Sequence, residues 1–467
     1  MVAPMYKCSM IHCYKLNGFN IALDTASGSV HSVDEAAYDA ICMYESAGRD
    51  GTFSRIGEKY KDMPDSEIQK LLSDIDDLKR RGKLFATDIS IGAIEKARGA
   101  PLRALCMNVS HTCNMTCGYC FAGKGGYGGG EELMSLETGR RVIDFLIENS
   151  GTQKNLYVDF FGGEPLLNVD VVKGIVAYAR KIEQWRGKRF LFTLTTNGLL
   201  IDDGVIEFVN SEMDNVVLSI DGRPEINDAM RKLHGGGGSY AEVLPKFRRL
   251  VEVRGGKGYY VRGTYTRDNL DFVNDILHLA DLGFTELSME PVVSAPDTPY
   301  ALDRDCLPKL CEQYELLARE MLKREREGRG FTFYHYMLDL TGGPCLYKRI
   351  AGCGVGTEYL AVTPGGELFP CHRFIGNPDF LMGHVIGGVT NGALRGEFER
   401  CGIFSRLECR ECWARMYCGG GCAASAYDAT GSVTGVFDLG CEIFKKRIEC
   451  AIMMEVAKST GREEIQG

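Results

Sequence analysis

The middle of the chain carries a repeated pattern, in which short apolar runs alternate with longer segments that have one apolar face. The short runs predict six β-strands, and the longer segments predict helices between them. The predicted strands are RALCMNV, NLYVDFF, RFLFTLTT, NVVLSID, GYYVRGTYT and ELSMEPV. The predicted helices include LETGRRVIDFLIEN, VDVVKGIVAYARKIEQW and NDILHLADLG. Six such β/α units in a row predict an α/β fold with a parallel sheet, open or curled into a partial (β/α)6 barrel, with its chemistry at the carboxyl ends of the strands.

The first ninety or so residues follow a different pattern. FNIALDTASGSVHSVD predicts two short strands joined by a Ser-Gly turn, and DEAAYDAICMYESAG predicts a helix that ends at a glycine. SDIDDLKRRGKLF predicts a second amphipathic helix that runs into a short strand. A hairpin followed by helices predicts a winged-helix-like unit over residues 1–98. Such a unit suits DNA binding or a purely structural role, but its Asp-rich helices argue against DNA.

Residues 331–467 are rich in Cys and Gly and show few long periodic segments before a closing helix, CEIFKKRIECAIMMEVAK. The strand–helix pattern therefore occupies a central domain, residues 99–330. Three domains also agree with the length of 467 residues, which is too long for one ordinary core.

Composition and charge narrow the class of protein. Apolar residues make up 45% of the chain and charged residues 25%, which is typical of a folded globular protein. The net charge of −9 argues against a broad nucleic-acid-binding surface. No apolar run approaches the roughly 20 residues that span a bilayer, and the N-terminus is too polar for a signal peptide. We therefore expect a cytoplasmic protein without membrane or nucleic-acid partners.

The 19 cysteines are the unusual feature of the composition. A reducing compartment disfavours disulfides, and an odd count does not suit a pure disulfide framework. Many of these cysteines cluster between Cys345 and Cys441, and three more stand close together near residue 115. Clustered thiolates in such a protein indicate zinc or iron–sulfur sites.

Cys113, Cys117 and Cys120 have C-x3-C-x2-C spacing in the loop after the first predicted central strand. A structural zinc site requires four ligands, and the neighbouring sequence offers no fourth cysteine and no correctly spaced histidine, since His111 lies only two residues before Cys113. In a [4Fe–4S] cluster, three cysteines leave one iron free to chelate a small molecule. S-adenosylmethionine offers an amine and a carboxylate for this purpose. Zinc, or three unrelated thiols, is the alternative.

The spacing of this trio, together with Tyr119, resembles the signature of the radical S-adenosylmethionine (SAM) superfamily. Other motifs share the resemblance: the GGEP sequence after the second strand resembles the family motif that holds the methionine amine. Its residues are Gly162, Gly163, Glu164 and Pro165. Later strand ends carry polar residues where the family contacts the ribose and carboxylate, namely Thr195, Asn197, Ser219 and Asp221, and Arg231 matches a family arginine near the carboxylate. For each single residue, a capping or turn role is the alternative.

The cysteines of the tail resemble the seven-cysteine SPASM extension of radical enzymes that modify peptides. The matching positions are Cys353, Gly366, Cys371, Cys409, Cys412, Cys418, Cys422 and Cys441. The resemblance implies two auxiliary [4Fe–4S] clusters, and hence three clusters in all. Cys353, Cys371 and Cys422 would hold the first, and Cys409, Cys412, Cys418 and Cys441 would hold the second. The fourth ligand of the first cluster stays open between Cys345 and a substrate cysteine, and a pair of zinc ribbons is the alternative for the whole tail.

Two longer stretches, IHCYKLNGFNIALDTASGSVHSVDEAAYD and GCGVGTEYLAVTPGGELFPCHRF, resemble the maturases of SCIFF peptides. These enzymes, related to ranthipeptide and sactipeptide synthases, form thioether cross-links in Cys-rich precursor peptides. The resemblance implies an anaerobic enzyme with a reductant such as flavodoxin or ferredoxin. It also implies that the N-terminal unit binds the leader of the precursor, and an exposed sheet edge would suit that purpose.

Three other functions remain open at this point. One is a different SPASM enzyme, such as a peptide epimerase or a formylglycine-type maturase. Another is a non-catalytic iron–sulfur or zinc protein, and the third is a winged-helix regulator with an enzyme-like core. The remaining cysteines show no partner pattern and are interpreted as core or incidental thiols; they are Cys8, Cys13, Cys42, Cys106, Cys306, Cys311, Cys401 and Cys450.

Overall fold

A computed structural model describes residues 11–87, 101–295, 297–340 and 352–461. Cys345 and Cys8 lie outside the described residues. The strands are β1 (Ile11–Leu16), β2 (Phe19–Asp24), β3 (Val30–Val33), β4 (Ala104–Ser110), β5 (Asn155–Gly162), β6 (Arg189–Thr196), β7 (Asn215–Ser219), β8 (Gly258–Tyr265), β9 (Glu286–Pro291), β10 (Thr332–Phe333), β11 (Tyr359–Val362), β12 (Glu367–Phe369), β13 (Gly383–His384) and β14 (Gly388–Val389).

The α-helices are α1 (Glu35–Lys59), α2 (Asp65–Arg80), α3 (Leu136–Asn149), α4 (Val169–Arg186), α5 (Asp203–Glu212), α6 (Pro224–Met230), α7 (Tyr240–Arg254), α8 (Val273–Asp281), α9 (Leu307–Arg326), α10 (Gly392–Glu399), α11 (Leu407–Arg410), α12 (Arg415–Cys418), α13 (Ala423–Thr430) and α14 (Asp438–Thr460). Short 3-10 turns occupy Pro165–Asn168, Arg267–Asn269, Arg304–Cys306, Tyr334–Tyr336, His372–Phe374 and Pro378–Phe380. None of the helices in the described part is long and apolar enough to cross a membrane.

The N-terminal unit is an antiparallel sheet of order β1-β2-β3 with two helices. The predicted hairpin is confirmed, but β1 was not predicted, and the predicted strand in KLF is wrong because those residues form a bend after α2. The chain does leave the helical conformation at Gly48 (φ 68°), yet α1 resumes beyond it and ends at Lys59. The helix α2 begins at Asp65, eight residues before the predicted start.

The N-terminal sheet packs on both of its faces. Ile11 and Ala22 belong to an apolar cluster formed with the two helices of the unit. Residues of the opposite face join the large core of the rest of the chain, and they include Tyr14, Leu16, Phe19, Ile21 and Leu23. Since side chains alternate across a strand, one sheet serves both cores.

The central region is a parallel sheet in which β4 to β9 pair in chain order, which confirms the predicted α/β barrel-type fold. The sheet is larger than predicted. β10 adds to β9 and β11 adds to β4, both in parallel, although both strands come after residue 330. Strands β12 to β14 continue the sheet beyond β11 in antiparallel order. The sheet therefore joins the central region to the Cys-rich tail.

The closing helix is confirmed as α14, which begins three residues before the predicted start. It packs against α9 and against β1. Two side chains of β1 reach it: His12 Nε2 lies 3.0 Å from Glu449 Oε1, and Tyr14 donates to the Glu449 carbonyl oxygen at 3.1 Å. The His12 ring also stacks on Trp413, with centroids 3.8 Å apart. The tail is therefore in direct contact with the N-terminal unit.

Candidate active site

A cavity of about 570 Å³ lies at the carboxyl ends of the barrel strands. The predicted site residues that line it are Cys113, Cys117, Tyr119, Cys120, Gly162, Gly163, Glu164, Thr195, Asn197, Ser219 and Arg231 from the central region, and Cys418, Cys422 and Cys441 from the tail. The structure therefore brings together the loop after β4, the ends of β5 to β7 and part of the tail. Pro165, Asp221, Cys353, Cys371, Cys409 and Cys412 do not line this cavity.

The three cysteines of the loop after β4 are close enough to influence one another. Burial raises the pKa of Cys113 to about 12, and the charges of Glu164, Cys117 and Cys120 add to the rise. Burial also raises the pKa of Cys117, partly offset by the guanidinium of Arg231. As free thiols Cys113 and Cys117 are protonated, and coordination to a metal would remove their protons.

Two glycines allow the end of β5 to pack closely against the cysteine loop. A Cβ atom at Gly162 would lie 2.2 Å from the Ser110 carbonyl oxygen, and one at Gly163 would lie 2.2 Å from the Thr112 carbonyl oxygen. This close approach allows Gly163 N–H to donate to Ser110 (2.8 Å) and Glu164 N–H to donate to Thr112 (2.9 Å). These hydrogen bonds from the GGEP backbone therefore hold the start of the cysteine loop in place. The close approach leaves no room for a side chain at Gly162 or Gly163, so both positions require glycine.

The carboxylate of Glu164 ties the end of β5 to the end of β6. It accepts hydrogen bonds from Thr196 Oγ1 (2.8 Å), Asn197 N (2.8 Å) and Leu166 N (3.0 Å). Burial raises the pKa of Glu164 to about 7, although these donors and Arg231 favour the ionised form. A carboxylate offers about four acceptor positions, so Glu164 retains capacity for one further donor from the cavity.

Asn197 also contacts the cysteine loop. Its Nδ2 donates to Asn114 Oδ1 at 2.8 Å and lies 3.7 Å from Cys113 Sγ. The end of β6 thus supports the cysteine loop from a second side.

At the cavity wall, Tyr119, Asp221 and Arg231 form a hydrogen-bonded set, in which Asp221 lies behind the other two residues. Tyr119 OH donates to Asp221, with oxygen–oxygen distances of 2.7 and 2.9 Å, and Arg231 NH1 donates to Tyr119 OH at 3.0 Å. Burial raises the pKa of Asp221 to about 6, against the opposing charge of Arg231. Burial alone would lower the pKa of Arg231, but Tyr119, Cys117 and Asp221 outweigh it and raise that pKa. Asp221 therefore orients Tyr119 from behind, and only Tyr119 and Arg231 face the cavity.

The cysteines of the tail form two groups. Burial raises the pKa of Cys371 to about 12, with further contributions from the charges of Cys422 and Cys353. Burial likewise raises the pKa of Cys441 to about 12, and its contributing neighbours are Cys418, Cys409 and Cys412. In each case the contributing cysteines come from one of the two predicted ligand sets, and the assignment of these sets to two clusters stays a prediction.

Arg373 contacts Cys422, one of the cysteines of the tail. Its NH1 donates to Cys422 Sγ at 3.6 Å and to Ser425 Oγ at 2.7 Å, and its NH2 pairs with Asp428. Arg373 therefore places a positive charge beside the first group of tail cysteines.

Several residues of the cavity wall were not predicted from the sequence, among them Arg262, Glu290, Phe121 and His372. Glu290 lies 3.3 Å from His335 Nε2 and 3.5 Å from Arg447 NH1. Burial alone would raise the pKa of Glu290, but His335, Arg447 and Arg262 outweigh it and lower that pKa. Arg262 and Glu290 could have been identified from the sequence, because each is a charged residue inside an otherwise apolar predicted strand, GYYVRGTYT and ELSMEPV respectively.

The thiols of Cys113, Cys117 and Cys120 are the candidate metal ligands in the cavity wall. Within the ranges that the structure describes, no three His, Cys, Asp or Glu side chains converge closely enough to hold one metal ion. The cysteines of the loop instead border a cavity. Thiolates are the ligands that iron–sulfur clusters use. Three thiols that border one cavity are a donor set of that chemistry.

Residues 107–276 match the sequence profile of the Radical SAM superfamily. A PqqA peptide cyclase of Granulibacter bethesdensis is 24% identical over 357 residues, which is 73% of this chain and 88% of the cyclase. An uncharacterised protein of Methanocaldococcus jannaschii is 26% identical over 200 residues, so that the match spans 40% of this chain and 62% of that protein.

Solved structures share the fold. A chain described as native anSMEcpe with bound AdoMet matches with a TM-score of 0.63 and 18% identity, over 78% of this chain and 100% of its own length. SuiB of Streptococcus suis, solved bound to the precursor peptide SuiA, matches with a TM-score of 0.51 and 16% identity, over 92% of this chain and 98% of its own. The second match extends over nearly the whole chain.

Proposed function

We propose that this chain, whose residues 107–276 match the Radical SAM profile, installs thioether cross-links in a ribosomally made, Cys-rich precursor peptide. Each cross-link would join the sulfur of a donor cysteine to a carbon of an acceptor residue, with loss of the thiol proton, of a hydrogen atom from that carbon to the deoxyadenosyl radical, and of one electron that an iron–sulfur cluster would accept. The observation that supports this proposal most is one cavity bordered both by the three cysteines of the loop after β4 and by cysteines of the tail. A substrate held there would lie between the site of radical formation and a second thiophilic site.

Each part of the site has a proposed role. Cys113, Cys117 and Cys120 would hold a [4Fe–4S] cluster. The GGEP backbone with Glu164 would bind the amine of S-adenosylmethionine, and Arg231 would bind its carboxylate. When bound, the cluster and S-adenosylmethionine supply a 5′-deoxyadenosyl radical that takes a hydrogen atom from the substrate.

Further contacts to the nucleotide are proposed for Thr195, Asn197 and Ser219, which line the cavity, while Asp221 would act through Tyr119. The apolar wall at Phe121 and Phe161 would keep water from the substrate carbon after its hydrogen has been removed.

The tail would hold two auxiliary clusters. Cys353, Cys371 and Cys422 are proposed for the first, and Cys409, Cys412, Cys418 and Cys441 for the second. Metal coordination deprotonates a thiol, so a donor cysteine bound at the first cluster would need no general base. A one-electron carrier such as flavodoxin or ferredoxin would reduce the chain.

The leader of the precursor would bind to the N-terminal sheet. Among the described residues, β3 pairs only with β2, which leaves an edge with unpaired backbone groups. Such an edge accepts an extended peptide through main-chain hydrogen bonds. SuiB, whose solved structure carries its precursor peptide, shares the fold of this chain.

The test is mass spectrometry of a Cys-rich precursor peptide after reaction with the anaerobically reconstituted protein, a reductant and S-adenosylmethionine. Thioether formation removes two hydrogens per link and blocks one cysteine from alkylation, and tandem spectra locate the link. Cys113→Ala should abolish the product, whereas Cys401→Ala, which changes a cysteine outside the proposed ligand sets, should retain it. An unchanged peptide mass with an inverted residue would indicate an epimerase instead and would refute the thioether proposal.

A further inference from the structure

One cation of the cavity wall has no ion-pair partner among the described residues. In β8, Tyr259, Val261 and Tyr265 are buried in the core, and the positions between them face the other way. Arg262 and Thr264 occupy two of these positions, and both line the cavity. Arg262 is exposed there, and within the ranges that the structure describes no hydrogen bond or ion pair engages its guanidinium. The guanidinium is therefore open to a ligand in the cavity.

The other two cations of the cavity wall are already engaged. Arg231 donates to Tyr119 OH, which in turn donates to Asp221. Arg373 pairs with Asp428. Each of these two cations therefore has a carboxylate of the protein close to it.

Glu290, which lines the cavity from the neighbouring strand β9, is engaged by other groups. Its carboxylate lies 3.5 Å from Arg447 NH1 and 3.3 Å from His335 Nε2. Between the described side chains of Glu290 and Arg262 there is no ion pair. Arg447 is buried and held in place, because its Nε donates to Tyr314 OH at 2.9 Å. Arg447 therefore compensates the charge of Glu290, and the charge of Arg262 remains.

The charge of Arg262 reaches the side of the cavity that the tail forms. Burial lowers the pKa of His372 to about 3, and the charge of Arg262 makes the next largest contribution. Glu164 and Arg231, which are proposed for the amine and carboxylate of S-adenosylmethionine, instead form hydrogen bonds with the cysteine loop. Arg262 thus lies where a substrate between the two groups of cysteines would pass.

We propose that Arg262 binds a carboxylate of the substrate peptide, so that the preferred substrate carries an Asp or Glu close to the residue that is modified. This inference rests on the proposed function, because it requires a peptide in the cavity. A guanidinium presents a planar fork of donors that matches the two oxygens of a carboxylate. Because a partly enclosed cavity screens charge less than bulk water, an unpaired cation there attracts an anion strongly.

The test measures the affinity of the full-length, anaerobically reconstituted protein, loaded with S-adenosylmethionine, for two forms of the Cys-rich precursor peptide. One form has its natural core, and in the other each Asp or Glu of the core is replaced by Asn or Gln, with the leader unchanged. By fluorescence anisotropy we expect the Kd of the amide form to be about tenfold higher, because charge-assisted hydrogen bonds are lost. Equal Kd values for the two forms, or a natural core without Asp or Glu, would overturn the inference.

Variants assign the preference to Arg262. Arg262→Met should raise the Kd of the natural form about tenfold and leave that of the amide form unchanged, and Arg262→Lys should retain part of the preference. Arg267→Met is the matched control, because Arg267 follows the same strand, pairs with Asp303 and lies outside the cavity. The control should change neither Kd. A rise of the same size for both peptide forms in Arg262→Met would contradict the inference.

The carboxylate of S-adenosylmethionine is the other anion of the proposed reaction. Arg262→Met should leave the Kd for S-adenosylmethionine, measured without peptide, unchanged. A rise in this Kd would assign Arg262 to the nucleotide and would overturn the inference. Peptide affinity is measured apart from product formation, so the two proposals fail separately: a preference for the acidic form without any thioether product would refute the proposed function alone.

Discussion

Replacing Gly163 by alanine tests whether the GGEP backbone shapes the cysteine loop. The added Cβ would lie 2.2 Å from the Thr112 carbonyl oxygen and 3.1 Å from Cys113 N. Both neighbours are backbone atoms, so no side-chain rotation can relieve the contact. Overpacking of this kind costs about 1–3 kcal/mol. If that cost falls on the loop conformation that binds the cluster, cluster affinity should decrease by about 5- to 150-fold.

The assay is the iron content per chain after anaerobic reconstitution, combined with the release of 5′-deoxyadenosine from S-adenosylmethionine. Gly163→Ala should bind about four fewer iron atoms per chain, which is one [4Fe–4S] cluster, and should release far less 5′-deoxyadenosine. Gly130→Ala is the matched control, because a Cβ there would meet nothing within 4 Å. Equal iron content and equal cleavage in the two variants would refute the claim that glycine at position 163 shapes the loop.

Three further predictions concern the supports of the site. Asp221→Asn removes the charge that orients Tyr119 and should raise the Kd for S-adenosylmethionine about fivefold by equilibrium binding, and an unchanged Kd would count against this role. Arg373→Met removes the positive charge beside Cys422 and should lower one midpoint potential by on the order of 50 mV in a titration followed by electron paramagnetic resonance; no shift would contradict it. His12→Ala removes the stack on Trp413 and a hydrogen bond, which together contribute about 1–2 kcal/mol. Amide exchange in β1 should then be about 5- to 30-fold faster, whereas unchanged exchange would mean that this contact does not hold the strand.

The long periodic elements of the barrel could be predicted from the sequence because each strand and helix carries its own apolar pattern. The runs NLYVDFF and RFLFTLTT became β5 and β6, and their ends supply Glu164 and Asn197 as expected. β10 has two residues and β11 has four, which is too short for a periodic signal. Their places beside β9 and β4 depend on pairing across the chain, which no local pattern indicates.

The site was predictable where spacing carries the chemistry. Cys113, Cys117 and Cys120 lie in one loop, so their spacing alone indicates a shared site. The orientation of Asp221 behind Tyr119 could not be predicted, because it depends on a contact between residues 102 positions apart.

Cys113, Cys117 and Cys120 are proposed to hold a cluster at which S-adenosylmethionine is cleaved to a radical. The most direct measurement is the amount of 5′-deoxyadenosine formed by reduced, anaerobically reconstituted protein, compared with a Cys113→Ala variant. The wild-type protein should form 5′-deoxyadenosine and methionine, and the variant should form neither. Zinc at these three cysteines, or no cleavage at full iron loading, would contradict it.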